Sequence, residues 1–279
     1  MNVTIKIALT AAAIAALVSC ASTTDKGVVG ADRRQLLLVS EPQIAEMANK
    51  AYNQVLAEAR KAGTLNTEAA QLRRVRAITA RLIPQVAIFR PDAIKWQWET
   101  NVITSDELNA WCMHGGKIAV YTGIIEKLKL TDDELAAIIG HEMAHALREH
   151  SREQISQEMA TTLTLNIGTS LLGLGSLGAN VAQLGSDLML KLPNSRTHET
   201  EADRIGVELS ARAGYDPRAA LSLWRKMKEA NKGAPPEWLS THPSGSTRME
   251  EISMVLPRVL PLYAKAIGKA VEDLPDRDL

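Results

Sequence analysis

Apolar residues recur at helical spacing over most of the chain. Two long amphipathic patterns, Pro42 to Lys61 and Thr67 to Phe89, predict helices in the first third. Further helical patterns run from Asp216 to Lys232 and from about Ser246. The central pattern has its apolar positions at Leu135, Ile138, Ile139, Met143 and Leu147. The chain is therefore predicted to be mostly helical.

Between Ile94 and Tyr121 the pattern changes to short alternating runs, which are typical of strands. We predict strands at Ile94 to Trp98, Leu108 to Met113 and Lys117 to Tyr121, with a turn at Gly115-Gly116. The expected fold class is α+β, with a small sheet packed on the helix that follows it. The edge of such a sheet could pair with an extended peptide.

The central helix has a clear start and carries candidate chemistry. Thr131 and Glu134 fit the two ends of a capping box, so the helix is predicted to begin after Thr131. His141 and His145 are four residues apart and lie on one helical face, where both rings can reach one metal ion. Glu142 lies at the edge of that face, as expected of a general base in a zinc peptidase.

A catalytic zinc site usually has three protein ligands, so a third is needed. The pattern with a third histidine downstream is excluded, because Ser151 stands where that histidine would be. If the helix continued, His150 would face away from His141, and we expect it to have a structural role. In the segment from Ser195, Glu199 and Asp203 are four residues apart. Glu199 could bind zinc while Asp203 orients a histidine ligand.

Together, His141-Glu142-x-x-His145 and Glu199-x-x-x-Asp203 resemble the metallopeptidase family of HtpX, the CAAX prenyl endoproteases and the Oma-type proteases. The similarity runs from about Arg73 to Met254 and is greatest to a bacterial lipoprotein branch. It implies a zincin-type catalytic domain with the sheet packed on the zinc helix, one Zn²⁺ per chain, and His141, His145 and Glu199 as its ligands.

The resemblance also covers two further segments, Asn109 to Lys117 and Thr241 to Ser244, and each contains a histidine. His242 is expected near the metal, where it would either stabilise the oxyanion or occupy the open zinc position in a latent state. His114 stands where the family usually has proline. Arg248 is expected to fasten the last helix without taking part in the chemistry.

The amino terminus indicates export. Lys6 precedes an uncharged run of about 13 residues that ends in Leu17-Val18-Ser19-Cys20 and resembles a lipobox. We predict a signal peptide over residues 1–19, lipidation of Cys20, a tether over 20–40 and a metallopeptidase domain over 41–279. The expected location is the periplasmic face of the outer membrane, with a membrane anchor at Cys20.

Composition bounds the remaining possibilities. After loss of a signal peptide only Cys112 would remain beside Cys20, so Cys112 is expected to be a buried apolar residue without a disulfide partner. The 32 basic and 32 acidic residues balance, and no basic cluster favours nucleic acid. The glycine-containing stretch Met159 to Ser186 is too polar for confident membrane insertion. It is interpreted as packed helices joined by a flexible loop that forms a movable lid over the active site, with a segment that touches the membrane as the alternative.

The function that follows is a zinc-dependent endopeptidase of the cell envelope, in which Glu142 takes a proton from the attacking water. Its expected partners are peptide or protein substrates, in particular misfolded envelope proteins. One alternative is a non-catalytic envelope lipoprotein that acts as a chaperone or assembly scaffold. Another is a structural zinc module, although such sites usually have four protein ligands.

Overall fold

Helices make up most of the part of the chain that the computed structural model describes, residues 20–171, 193–230, 237–243 and 246–276. The helices in chain order are α1 (Glu41–Lys61), α2 (Ala69–Leu82), α3 (Thr122–Lys127), α4 (Asp132–Leu147), α5 (His150–Leu171), α6 (Arg196–Arg212), α7 (Ala219–Ala230), α8 (Glu237–Thr241) and α9 (Ser246–Ala266). Short 3₁₀ segments span Ile83–Ile88, Pro91–Lys95 and Val271–Asp273.

The strands form two small sheets. Cys20–Ala21 (β1) pairs antiparallel with Gln35–Leu36 (β2). The larger sheet has the order β3-β5-β4, and its strands are Glu99–Ile103 (β3), Ala110–Met113 (β4) and Lys117–Tyr121 (β5). Strand β3 runs parallel to β5 and β4 runs antiparallel to it. The α+β class with a small sheet beside the central helix, consistent with a zincin-type fold, is confirmed.

Alternate residues of the larger sheet belong to two different cores. Ala110, Cys112 and Ile118 face the main core, which contains the apolar side of α4. Trp111 belongs with Tyr52 of α1 to a second cluster on the opposite face. The two cores enclose the sheet from both sides, and β4, an edge strand, is held against the helix that carries the histidine motif.

Three predicted elements differ from the structure. The pattern Thr67 to Phe89 was expected to be one helix, but α2 ends at Leu82 and a 3₁₀ segment follows, because Pro84 cannot continue the hydrogen-bond ladder. The strand expected at Ile94 to Trp98 is wrong: Pro91–Lys95 is a 3₁₀ turn and β3 begins at Glu99. Helix α7 begins at Ala219, later than expected, after a turn at Asp216.

The segment expected to be a tether packs against the catalytic part of the chain. Val29 and Ala31 are 2% exposed and belong to the main core. The backbone N–H of Val28 donates to the Glu208 carboxylate. Residues 22–39 therefore follow the surface of the domain closely.

Several expectations concern residues that lie outside the described part. They are the signal peptide over 1–19 and, from residue 172 onward, the greater part of the lid expected over 159–186. Within the described residues, no helix combines the length and apolarity that a bilayer span requires.

Candidate active site

Two capped helices present the predicted zinc ligands. Thr131 begins α4 as predicted: its hydroxyl accepts from the N–H of Glu134, and the Glu134 carboxylate accepts from the N–H of Thr131. Ser195 begins α6 and its hydroxyl accepts from the N–H of His198. These caps set the helical registers that place His141 and His145 on one helix and Glu199 on the other.

Close packing of the two helices brings their ligands together. Gly206 of α6 lies against the backbone of α4, and a Cβ added to Gly206 would be 2.8 Å from the backbone nitrogen of His141. A Cβ on Gly140 would likewise be 2.9 Å from the Gly206 carbonyl oxygen. The absence of both side chains allows the backbones to approach directly, at the level of His141.

Four side chains converge on one point. The Nε2 atoms of His141 and His145 are 3.1 Å apart, and Glu199 Oε1 lies 3.4 Å from His145 Nε2. His242 Nδ1 lies 3.2 Å from His141 Nε2 and 3.1 Å from Glu199 Oε1. One ligand atom from each of His141, His145, Glu199 and His242 lies within 4.8 Å of all the others. The structure thus brings together the three predicted ligands and adds His242.

Asp203 and Arg248 flank this cluster on one side. Asp203 Oδ1 is 3.0 Å from His141 Nδ1, so the carboxylate can accept that N–H and leave Nε2 directed at the cluster. Arg248 donates to both Asp203 oxygens, and its Nη1 lies 2.5 Å from Glu199 Oε2. Arg248 therefore does more than fasten α9, since its charge stabilises a predicted ligand carboxylate.

Burial, hydrogen bonds and neighbouring charges shift the pKa values of the clustered side chains in different directions. Burial opposes ionisation of Glu199, but electrostatic interaction with His242 and Arg248 and hydrogen bonds with His141 and His145 hold its pKa well below the usual range. Burial lowers the pKa of His145 below its ordinary value. In His141 burial is outweighed by the hydrogen bonds to Asp203 and Glu199, which raise its pKa. The site therefore favours an anionic ligand carboxylate beside at least one neutral imidazole.

Glu142 lies beside the cluster and contacts residues from α8 and the segment after it. The indole N–H of Trp238 donates to Glu142 Oε1 over 2.7 Å, and His242 Nε2 lies 3.4 Å from the same oxygen. The Trp238 ring stacks on His242 with centroids 4.6 Å apart. No local sequence pattern predicts the role of Trp238, because its partner is 96 positions away.

His150 lies behind the predicted metal ligands, for a reason different from the one expected. Helix α4 ends at Leu147, and Glu149 adopts a left-handed φ of 51°, so His150 begins a new helix. Its Nδ1 lies 2.9 Å from Nδ1 of His145, and its Nε2 lies 3.1 Å from Glu201 Oε2. Burial lowers the pKa of His150 well below its ordinary value. It is therefore a neutral partner of His145, on the side away from the cluster.

His114 lies in a second group of possible ligands, with Glu41 and Glu149. Arg90 already joins these acids: it lies 2.9 Å from Glu41 Oε1 and also contacts Glu149. The His114 ring packs on Trp96 with centroids 5.0 Å apart. Arg152 Nη1 lies 2.5 Å from Glu149 Oε2, so the two guanidinium groups together balance the two carboxylates, and we interpret this group as an ion-pair network.

Cys112 is buried in the main core, as expected for an apolar residue. Burial and the nearby charge of Glu142 raise the pKa of its thiol well above the usual value. The thiol is therefore protonated and poorly nucleophilic.

Comparison with known proteins agrees with this geometry. The model of peptidase family M48 matches residues 69–255, which include both ligand helices and His242. The chain belongs to peptidase family M48. The resemblance stated from the paired motifs is thereby confirmed.

Curated relatives include enzymes of mitochondria and bacteria. The chain is 36% identical over 168 residues to the mitochondrial metalloendopeptidase OMA1 of Arabidopsis thaliana, covering 60% of this chain and 33% of the relative. It is 30% identical over 240 residues to the human metalloendopeptidase OMA1, covering 82% and 45%. It is 28% identical over 169 residues to the β-barrel assembly-enhancing protease of Escherichia coli, covering 57% and 34%. The chain thus spans between about a third and a half of the length of these relatives.

Proposed function

We propose that this chain is a zinc-dependent endopeptidase that acts in protein quality control in the cell envelope. The observation that carries the proposal is the convergence of His141, His145 and Glu199 within one buried cluster, with Glu142 directly beside it. Family membership supports peptide-bond hydrolysis as the reaction.

The chemistry of the donor set fits zinc. Imidazole nitrogen and carboxylate oxygen are ordinary zinc ligands, and two histidines with one glutamate form a known catalytic set. The Nε2 atoms of His141 and His145 lie 3.1 Å apart and are directed at the same point, where one cation could accept a lone pair from each. Zinc held there would polarise the scissile carbonyl and supply an activated water.

The residues around the cluster divide the remaining tasks. Glu142 accepts the proton of the attacking water and then delivers it to the leaving amine, which is general base and general acid catalysis by one carboxylate. Asp203 keeps His141 oriented, and Arg248 keeps Glu199 ionised. Strand β4, at the edge of the sheet and next to α4, would hold an extended peptide by backbone hydrogen bonds.

The described arrangement is best interpreted as a latent form of this enzyme. His242 lies among the ligand atoms, and His141, Glu142 and His145 are each no more than 9% exposed. The backbone N–H of Trp238 donates to the carbonyl oxygen of Leu108, which lies just before β4. Because α8 contacts Glu142 and the residue before β4, we infer that it must move before a peptide reaches the site, and of the two roles for His242 we favour occupation of the open zinc position.

The proposals for location and substrates rest on different observations. The lipobox-like Leu17 to Cys20 supports export and lipidation of Cys20. One relative is named for enhancing β-barrel assembly, which supports misassembled outer-membrane proteins as substrates. Cell fractionation with Cys20→Ala tests the anchor: the wild type should be in the outer membrane and the variant in the soluble periplasm. Equal membrane association of both would refute lipid anchoring.

The decisive experiment compares the wild type with Glu142→Gln, using an unfolded reduced protein as substrate. Both proteins should bind one zinc ion, and the variant should cleave at least about 10²-fold more slowly because it lacks the general base. Zinc binding by both with no cleavage by either would favour a chaperone or scaffold. Undiminished cleavage by Glu142→Gln would exclude the assigned mechanism.

A further inference from the structure

The segment that follows Cys20 carries an arginine into the polar layer behind the metal cluster. Arg33 Nη1 and Nη2 each lie 2.8 Å from a different oxygen of Glu153. Its Nε donates to Glu201 Oε1 over 2.9 Å. One guanidinium thus connects a carboxylate of α5 with a carboxylate of α6, using its planar set of donors.

Each of these carboxylates also contacts a histidine. Glu201 Oε2 lies 3.1 Å from His150 Nε2, and Glu153 Oε2 lies 3.1 Å from His198 Nε2. The two rings are stacked, with centroids 4.3 Å apart and an interplanar angle of 10°. Both histidines are 1% exposed, so these contacts are shielded from water.

The metal site determines which atom donates and which accepts in the hydrogen bonds between His145, His150 and Glu201. His145 points Nε2 toward the cluster, which leaves its Nδ1 as the atom that faces His150 Nδ1. When Nε2 offers its lone pair to a cation, the His145 proton lies on Nδ1 and is donated to His150. His150 then carries its own proton on Nε2 and donates it to Glu201. The orientation of His145 therefore depends on the position of Glu201.

Arg33 is the link that holds this chain of contacts in place. Arg148, which is fully buried, also donates to Glu201, but the described contacts of Arg148 do not include a hydrogen bond to Glu153. Burial opposes ionisation of Glu153, yet hydrogen bonds from Arg33, His198 and Gln35 hold its pKa well below the usual range. Without Arg33, Glu153 would be a buried carboxylate that has lost its arginine partner.

We propose that Arg33 is a positioning residue for the metal centre, acting on His145 through Glu201 and His150. The segment after Cys20 is then part of the metal site as well as a connection to the membrane. This inference rests on the proposed zinc site, and it assigns a role that the paired motifs do not contain.

The test measures metal binding directly, in the full mature chain. Zinc affinity is determined by competition with a chromogenic chelator, and the ligand geometry by the visible absorption of the Co²⁺ form. Arg33→Ala should weaken zinc binding by about 10- to 100-fold and alter the Co²⁺ spectrum, as is typical when the support of a ligand is lost. Arg33→Lys should rescue only part of the loss, because lysine cannot donate to both carboxylates in one plane.

Two controls separate this role from a general loss of stability. Lys26→Ala changes an exposed cation in the same segment and should bind zinc like the wild type. His150→Gln interrupts the contacts next to His145 and should reproduce the Co²⁺ change, while urea unfolding without metal shows whether each variant is folded. A folded Arg33→Ala variant with wild-type zinc affinity and Co²⁺ spectrum would overturn the proposal. A wild-type chain that binds no zinc would instead refute the proposed function on which it rests.

Discussion

The backbone contact between α4 and α6 gives a sharp prediction for Gly206→Ala. The new methyl carbon would lie 2.8 Å from the His141 nitrogen and 3.0 Å from the His141 Cα, whereas ordinary contact begins near 3.4 Å. Both of these atoms belong to the backbone, so no rotation of a side chain can relieve the overlap. The helices must move apart by several tenths of an ångström, next to a predicted metal ligand.

Two opposing free energies decide the size of the effect. Overpacking of this kind costs about 1–3 kcal/mol, and a backbone collision belongs in the upper part of that range. Alanine in place of a helical glycine returns about 1 kcal/mol through helix propensity. We therefore expect the free energy of unfolding without metal to fall by about 2 kcal/mol. The shift of Glu199 relative to His141 should also weaken zinc binding by about tenfold, equivalent to about 1.4 kcal/mol.

Urea denaturation without zinc and chelator competition with zinc measure the two effects separately. Thr197→Ala, at an exposed position on the same helix, reports the gain in helix propensity without the collision. A Gly206→Ala protein at least as stable as the wild type, with unchanged zinc affinity, would show that the two helices are not in backbone contact.

Two further predictions concern the latent arrangement and the start of α4. Trp238→Phe keeps an aromatic ring on His242 but removes the hydrogen-bond donor to Glu142, which should destabilise the closed position of α8 by about 1–3 kcal/mol. The cleavage rate of the zinc-loaded enzyme should therefore rise. An equal or lower rate at equal zinc content would contradict this expectation. Burial raises the pKa of Glu134, but hydrogen bonds from Lys226, the Thr131 backbone and Ser222 together lower it below 4.5. The stability that Glu134 contributes is thus present above about pH 4.5 and lost as pH falls below it. Glu134→Gln keeps the capping box but cannot titrate, so below about pH 4.5 the free energy of unfolding should change less steeply with pH, by up to about 1.4 kcal/mol per pH unit. Identical slopes in the wild type and the variant would refute the role assigned to Glu134.

The predicted metal ligands could be found from the sequence because each lies within a short helical repeat. The spacing of four residues places His141 with His145, and Glu199 with Asp203, on a common face once the caps at Thr131 and Ser195 are recognised. The pairing of the two helices came from the family resemblance, since periodicity within one helix says nothing about its neighbour.

Arg33 and Trp238 could not be predicted, because their partners are distant in sequence. Arg33 meets Glu201 across 168 positions and Trp238 meets Glu142 across 96. The expected position of His150 assumed that α4 continues beyond Leu147. The helix instead ends near Glu149, which has a left-handed φ, and glutamate is not a residue type that predicts this conformation. Patterns of polarity give the buried face of an element, but not which charged side chains meet beneath it.

In the proposed enzyme the same cluster would serve both latency and catalysis, because the four candidate ligands differ in how firmly they are held. His141, His145 and Glu199 lie on long helices locked together at Gly140 and Gly206, with Asp203, Arg248 and His150 fixing their side chains. His242 follows α8, which spans only Glu237–Thr241. Four protein ligands complete a tetrahedral zinc site, whereas catalysis requires one open position. We therefore expect that displacement of His242 alone would convert a closed site into an open one without disturbing the three proposed ligands on α4 and α6.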